Sequence, residues 1–156
     1  MVARCSHDSW DEATGVAAQA LALQDRAARL AQVDADVWEE ALSALHVAGK
    51  GEASDGARRD HELEQKLERA AAVPLQIAEL GADTAALAAH AGELCEGTYR
   101  ADAAAAAALA AGGARAAAHL VEVNLGVREG DARLARARAS EQAASDAAEG
   151  LLASIR

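Results

Sequence analysis

The sequence has no phenylalanine, one tyrosine, one proline and one methionine, and aromatics make up 2% of its 156 residues. Apolar and polar residues never alternate over a useful length, and turn punctuation is sparse, so sheet architectures are excluded. Cys5 and Cys95 stand alone with no C-x-x-C spacing, which suits reduced thiols and a cytoplasmic location. The five histidines are scattered, H-E-x-x-H is absent, and no Cys/His pair has ligand spacing, so no metal site is expected. Neither a Walker loop nor a G-x-S-x-G elbow is present, which removes nucleotide and serine-hydrolase chemistry. Basic residues are also short. With 15 Lys and Arg against 25 Asp and Glu, the net charge of −10 disfavours nucleic acid and anionic lipid as partners. The opening MVARCSHDSW lacks a signal-peptide apolar core. The Ala-rich stretch from Ala103 is interrupted by Arg115 and is too weakly hydrophobic to read as a membrane span.

What the chain has instead is alanine, at 47 positions. Alanine has the best helix propensity, so the expected class is all-α, a single-domain bundle of long Ala-rich helices. Met1 to Cys5 reads as the last turn of a helix. A second helix, capped by Ser9 or Asp11, runs to about Ala48 with the stripe Leu23, Ala27, Leu30, Val37, Trp38, Ala41 and Leu45. Asp34 occupies the stripe position between Leu30 and Val37, where an unpaired charge is costly. Gly49 to Gly56 reads as a loop. The next helix spans about Arg58 to Cys95, with Leu63, Leu67, Ala70, Val73, Ile77, Leu80, Thr84, Leu87 and Leu94 on its stripe. Pro74 predicts a kink, or two abutting helices. After a short connection at Glu96–Arg100, the alanine helix runs to Leu125 as the expected centre of the bundle. Gly126 to Gly130 marks a break, and a last, more loosely packed helix ends near Ser154.

Several segments are familiar. AAAVPLQIAELGADTAALA (Ala70 to Ala88), RADA (Arg100 to Ala103), HLVEVNL (His119 to Leu125) and the Asp34-x-x-x-Trp38 pair follow one another at characteristic spacing. Together they resemble the formiminotransferase-cyclodeaminase family, and in particular its free-standing cyclodeaminase/cyclohydrolase domain. The resemblance covers nearly all of residues 1–156. It implies an all-helical homodimer acting on a reduced folate, a tetrahydrofolate derivative that serves as substrate, with or without a polyglutamate tail. The family's usual opening, a P-G-G-G-S-V-A-A segment and most of a first helix that lines the folate site, has no counterpart ahead of Met1-Val2-Ala3-Arg4. A start assigned too far downstream and a truncated copy both account for this.

The implied reactions are ring closure of formiminotetrahydrofolate with loss of ammonia, and hydrolysis of the methenyl bridge. Each passes through a tetrahedral carbon between two nitrogens and needs a positioned group to move protons, for which a carboxylate in a partly dry site is suited. Asp102 and Asp34 are the catalytic candidates. By helical phase both lie on inward stripes, Asp102 in line with Leu109, Gly113 and Leu120, so the two carboxylates are expected to face one cleft. For Asp102 the alternative is a helix cap; for Asp34 it is an edge position paired with Arg26 or Arg29. Asn124 and Arg100 are the substrate-binding candidates. Asn124 also suits a hydrogen bond across helices, and Arg100 a solvated loop position. The arginines at 128, 133, 136 and 138 would attract a polyglutamate tail or pair with Glu129, Asp131 and Glu141. His119 reads as a core histidine. The competing function is a non-catalytic helical dimerisation or interaction module that has lost its folate site.

Overall fold

The computed structural model describes residues 1–6, 10–48, 56–125 and 130–155. Ser9 and residues 49–55 and 126–129 of the loops expected at Gly49–Gly56 and Gly126–Gly130 fall outside the described residues, as do the side chains of Leu45, Leu63 and Leu67; Gly56 already belongs to the helix that follows. The chain is an all-α single domain, with no strand among the described residues. Its helices are α1 (Val2–Cys5), α2 (Ala13–Ala48), α3 (Gly56–Leu94), α4 (Arg100–Leu125) and α5 (Ala132–Ser154), with a 3-10 turn at Gly97–Tyr99 ahead of α4. α3 runs through Pro74 as one helix, so the two-helix alternative does not occur.

α3, not the alanine helix, is the hub. It packs against α2, α4 and α5, whereas α4 packs chiefly on α3 and α5. The reason lies in side-chain size. α3 supplies Val73 and Leu80 to the cluster it shares with α2, and Leu75 to a second cluster shared with α4 and α5, so it meets neighbours on more than one side. α4 presents a flat face of alanines, and its buried residues are Ala103, Ala104, Ala107, Ala114, Ala117, Ala118, Val121 and Leu125. Small residues on both sides bring α3 and α4 into near backbone contact. A Cβ placed on Gly81 would lie 2.9 Å from the Cβ of Ala114 and 3.1 Å from the carbonyl oxygen of Ala110. Ala85, Ala114 and Ala144 form one layer of this contact across α3, α4 and α5.

The phase of α4 departs from the sequence expectation. The line through Asp102, Leu109, Gly113 and Leu120 points outward: Leu109 is 78% exposed, Leu120 45% and Val123 60%. Gly112 and Gly113 have open space where a side chain would be. The stretch Gly97–Leu125 is long and apolar enough to cross a bilayer, with a mean hydropathy of 1.3, yet only 33% of its most apolar window is buried. The charges it carries beyond its first turn are directed to α5, Arg115 to Glu141 at 2.9 Å and Glu122 to Arg138 at 2.8 Å.

α2 lies on α3 through Leu30, Val73 and Leu80, with Leu23, Val37 and Ile77 at the margin. Ala27 and Trp38 of its expected stripe are exposed, and Asp34 is half-buried. α5 contributes Ala137, Ala144, Ala148 and Leu151, and its start is fixed by Asp131, whose carboxylate accepts from the Arg133 backbone N–H. The same carboxylate binds the Arg133 guanidinium at 2.6 Å and raises its pKa further. Replacing Gly81 by Val should lower unfolding free energy by about 2 kcal/mol or more, because α3 and α4 must part. Gly150→Ala, in open space on α5, should raise it by about 0.5–1 kcal/mol. Urea denaturation measures both.

Candidate functional site

Pro74 has no N–H, so the carbonyl of Ala70, four residues earlier, loses its helical partner. Pro74 is fully buried, so water is a poor substitute for that partner. The side chain of Asn124 takes over: its Nδ2 donates to the Ala70 oxygen at 3.1 Å. The penultimate residue of α4 is thereby tied to the middle of α3, the cross-helix bond that an asparagine inside a helix suggested. The signal was present in the sequence as the Ala70–Pro74 spacing, but the donor could be identified only once α4 was placed.

This joint is the floor of a pocket of about 250 Å³ lined by Asp34, Val37, Trp38, Ala70, Pro74, Leu120, Val123 and Asn124. α2 supplies the carboxylate and the indole, α3 the proline, and α4 the amide and two aliphatic side chains. Small-molecule pockets usually run to about 300–1,000 Å³. The space therefore admits a flat ring system but not an extended ligand. Its rim is open, since Trp38 is 46% exposed beside the outward-facing Leu120 and Val123. A larger groove of about 460 Å³ runs between α1, α2, α3 and α4, past Val16, Leu23, Ala27, Leu87 and Ala106. Among the described residues its lining has no carboxylate to transfer protons. The smaller pocket is the candidate site on chemical grounds.

Asp34 and Asn124 are brought together; Asp102 and Arg100 are not brought to them. Asp102 is exposed in the first turn of α4, where its charge suits the helix dipole, and it is not the cap, since α4 begins at Arg100. Twenty-two positions at about 1.5 Å each separate it from Asn124 along α4, about 33 Å. Within one chain the two carboxylates therefore do not share a cleft. Arg100 turns its Nε to the carbonyl of Gly92 at 3.0 Å, closing the end of α3. Beside it, burial pushes the Cys95 thiol above its usual pKa, against the opposing pull of Arg100. The Tyr99 hydroxyl lies near Cys5, Glu96 and Asp102, and these acidic neighbours, Cys5 first, hold its proton more tightly.

The other candidates are accounted for on the surface. His119 is exposed, not in the core, and lies 4.0 Å from Glu122. Arg133 pairs with Asp131 as expected, while Arg136 binds Glu79 at 2.6 Å and Arg138 binds Glu122, both across helices. Arg128 lies outside the described residues. Asp34 is not assigned to Arg26, which faces Asp83 at 3.7 Å. No group of three His, Cys, Asp or Glu side chains is placed to hold a metal ion among the described residues.

Comparison with known proteins gives one match. The formiminotransferase-cyclodeaminase family model aligns with residues 1–149. No curated protein and no solved structure matches the chain.

The Pro74–Ala70–Asn124 arrangement makes a quantitative prediction. Asn124→Leu should cost about 1–3 kcal/mol by leaving the Ala70 carbonyl unpaired. In a Pro74→Ala background residue 74 regains its N–H, and the same change should cost less by about 1 kcal/mol. Equal costs in the two backgrounds, measured by urea unfolding, would show that Asn124 does not serve the freed carbonyl.

Proposed function

The chain belongs to the formiminotransferase-cyclodeaminase family, whose chemistry is folate-linked one-carbon metabolism, and from that premise we propose that it is a reduced-folate enzyme of the cyclodeaminase or cyclohydrolase type. The supporting observation is the pocket at the Pro74 joint, where a half-buried carboxylate, an indole and an amide meet in a space sized for a bicyclic ring. Trp38 offers a flat apolar surface to such a ring, and Asn124 offers hydrogen bonds to its heteroatoms. Asp34 is the one acidic side chain among the described residues of this lining, and we assign it the proton transfers.

In the cyclodeaminase direction a folate nitrogen adds to the formimino carbon, and the tetrahedral carbon then expels ammonia once the departing nitrogen is protonated. In the cyclohydrolase direction water adds to the methenyl carbon, and one carbon–nitrogen bond breaks to leave formyl-folate. Both need one group that accepts a proton on addition and returns it on expulsion. Asp102 is the second catalytic carboxylate of this proposal, with Arg100 beside it for an anionic folate tail. Because both lie at the far end of α4 in the same chain, the proposal includes a homodimer. A cytoplasmic setting suits the two free thiols.

A reduced folate at about a hundred times its Kd should raise the melting temperature by roughly 5–10 °C. Asp34→Asn should lower turnover by about 10²–10⁴-fold while leaving the helical circular dichroism unchanged. Absence of any thermal shift with tetrahydrofolate, formiminotetrahydrofolate and methenyltetrahydrofolate at about 1 mM would remove the folate assignment and leave a helical interaction module.

A further inference from the structure

The polar groups that line the pocket at the Pro74 joint are electron-rich. Asp34 brings a carboxylate, Asn124 an amide oxygen and Trp38 an indole, and the rest of the lining is aliphatic. Among the described residues the lining holds no Lys, Arg or His, and no side chain pairs with Asp34. On a chain of net charge −10 a lone surface carboxylate is ordinary. A lone carboxylate half-buried beside an aromatic ring and an amide oxygen is not, because burying unpaired charge is costly.

Pro74 decides which end of the Asn124 amide is left for a ligand. Residue 74 has no N–H, so the Ala70 carbonyl accepts from the Asn124 Nδ2 at 3.1 Å. Reversing the amide would set its oxygen against that carbonyl oxygen, and neither can donate. Oδ1 is therefore the end held away from Ala70, and no donor among the described residues reaches it. Alanine at 74 would restore the backbone N–H and free the amide to turn.

We infer that this pocket recognises a planar, delocalised cation bearing N–H donors, of the amidinium class, and that Pro74 is the positioning residue that keeps Asn124 an acceptor toward it. An amidinium donates two N–H bonds side by side to a carboxylate, and its charge is attracted to an indole face. A neutral amide of the same shape turns a carbonyl oxygen toward one of these acceptors and is rejected. A space of about 250 Å³ holds one such group on a flat ring. The choice of substrate, though not the cation site itself, rests on the folate proposal. A protonated formimino group, N–CH=NH2⁺, has both the charge and the N–H donors. The methenyl bridge has the charge, but both its nitrogens are fully substituted, and the formyl group is neutral. Of the two reactions, the pocket therefore suits the cyclodeaminase substrate.

Isothermal titration calorimetry of the whole chain with benzamidinium chloride and with benzamide, two flat molecules of one size, tests the cation site. Benzamidinium should bind about tenfold more tightly or better, the difference expected from charged hydrogen bonds. Asp34→Asn, which keeps the size and removes the charge, should bring the two probes within about twofold. Pro74→Ala should keep its fold, alanine being the better helix former, and should bind benzamide more tightly than the wild type does. Equal affinities in the wild type, no benzamidinium binding at about 10 mM, or a preference that survives Asp34→Asn, as general attraction to an acidic surface would give, would each overturn the cation site. Benzamide bound no more tightly by Pro74→Ala would overturn the positioning role, since a merely structural proline would not reverse in favour of the neutral probe. Formiminotetrahydrofolate should raise the melting temperature more than methenyltetrahydrofolate at equal concentration, and the reverse order would overturn the choice of substrate. Benzamidinium preference with no shift by any folate would defeat the folate proposal and leave the cation site; a folate shift without that preference would do the opposite.

Discussion

The near-contact of α3 and α4 is the constraint on which the rest of the structure depends. Dispersion falls steeply with separation, so helices with few large side chains must approach closely to gain from packing. Gly81 over Ala114, and the alanine layer of Ala85, Ala114 and Ala144, make that approach available without a knob of either helix being displaced. Once the two backbones are fixed at that distance, α5 can lie across both, and the few larger residues, Leu75, Val121 and Leu125, pack with Ala137 of α5 in a separate cluster.

The pocket follows from the same geometry. Pro74 lies in the stretch of α3 nearest the carboxyl end of α4, so its missing N–H creates a bare carbonyl that α4 can reach. Asn124 satisfies it from the neighbouring helix. A structural debt in one helix therefore fixes the register of another and holds the amide beside Asp34 and Trp38. A site built on two rigid helices and a fixed cross-helix bond is preorganised, which catalytic geometry demands and loops supply poorly. The price of a thin core is an apolar α4 with one face uncovered, and that face runs from one candidate carboxylate to the pocket of the other.

Helix class, the number and approximate ends of the long helices, and the inward tendency of Asp34 were legible because they depend on local propensity and on steps of three and four among large side chains. Leu30 and Val37 bracket Asp34 with enough apolar contrast to set the phase of α2. The phase of α4 was not legible. An alanine run has almost no contrast between its faces, and both directions are equally apolar, so nothing local marks Leu109 and Leu120 as the surface residues they are. The arginine partners are hidden from the sequence for a related reason. Arg136 and Arg138 reach Glu79 and Glu122 across helices, and sequence proximity favours only the neighbours within a turn or two.

The sequence by itself determined an acidic all-helical chain, its family through residues such as Val73-Pro74-Leu75 and Val123-Asn124-Leu125, and a carboxylate at position 34 on a half-apolar face. These are properties of short stretches, where propensity and spacing suffice. Tertiary structure alone decided that α3 is the hub, that Asn124 caps the carbonyl freed by Pro74, and that Leu109, Gly113 and Leu120 face outward. Each of those depends on which face of an alanine helix meets its neighbour, and side chains of one methyl group do not encode that choice locally.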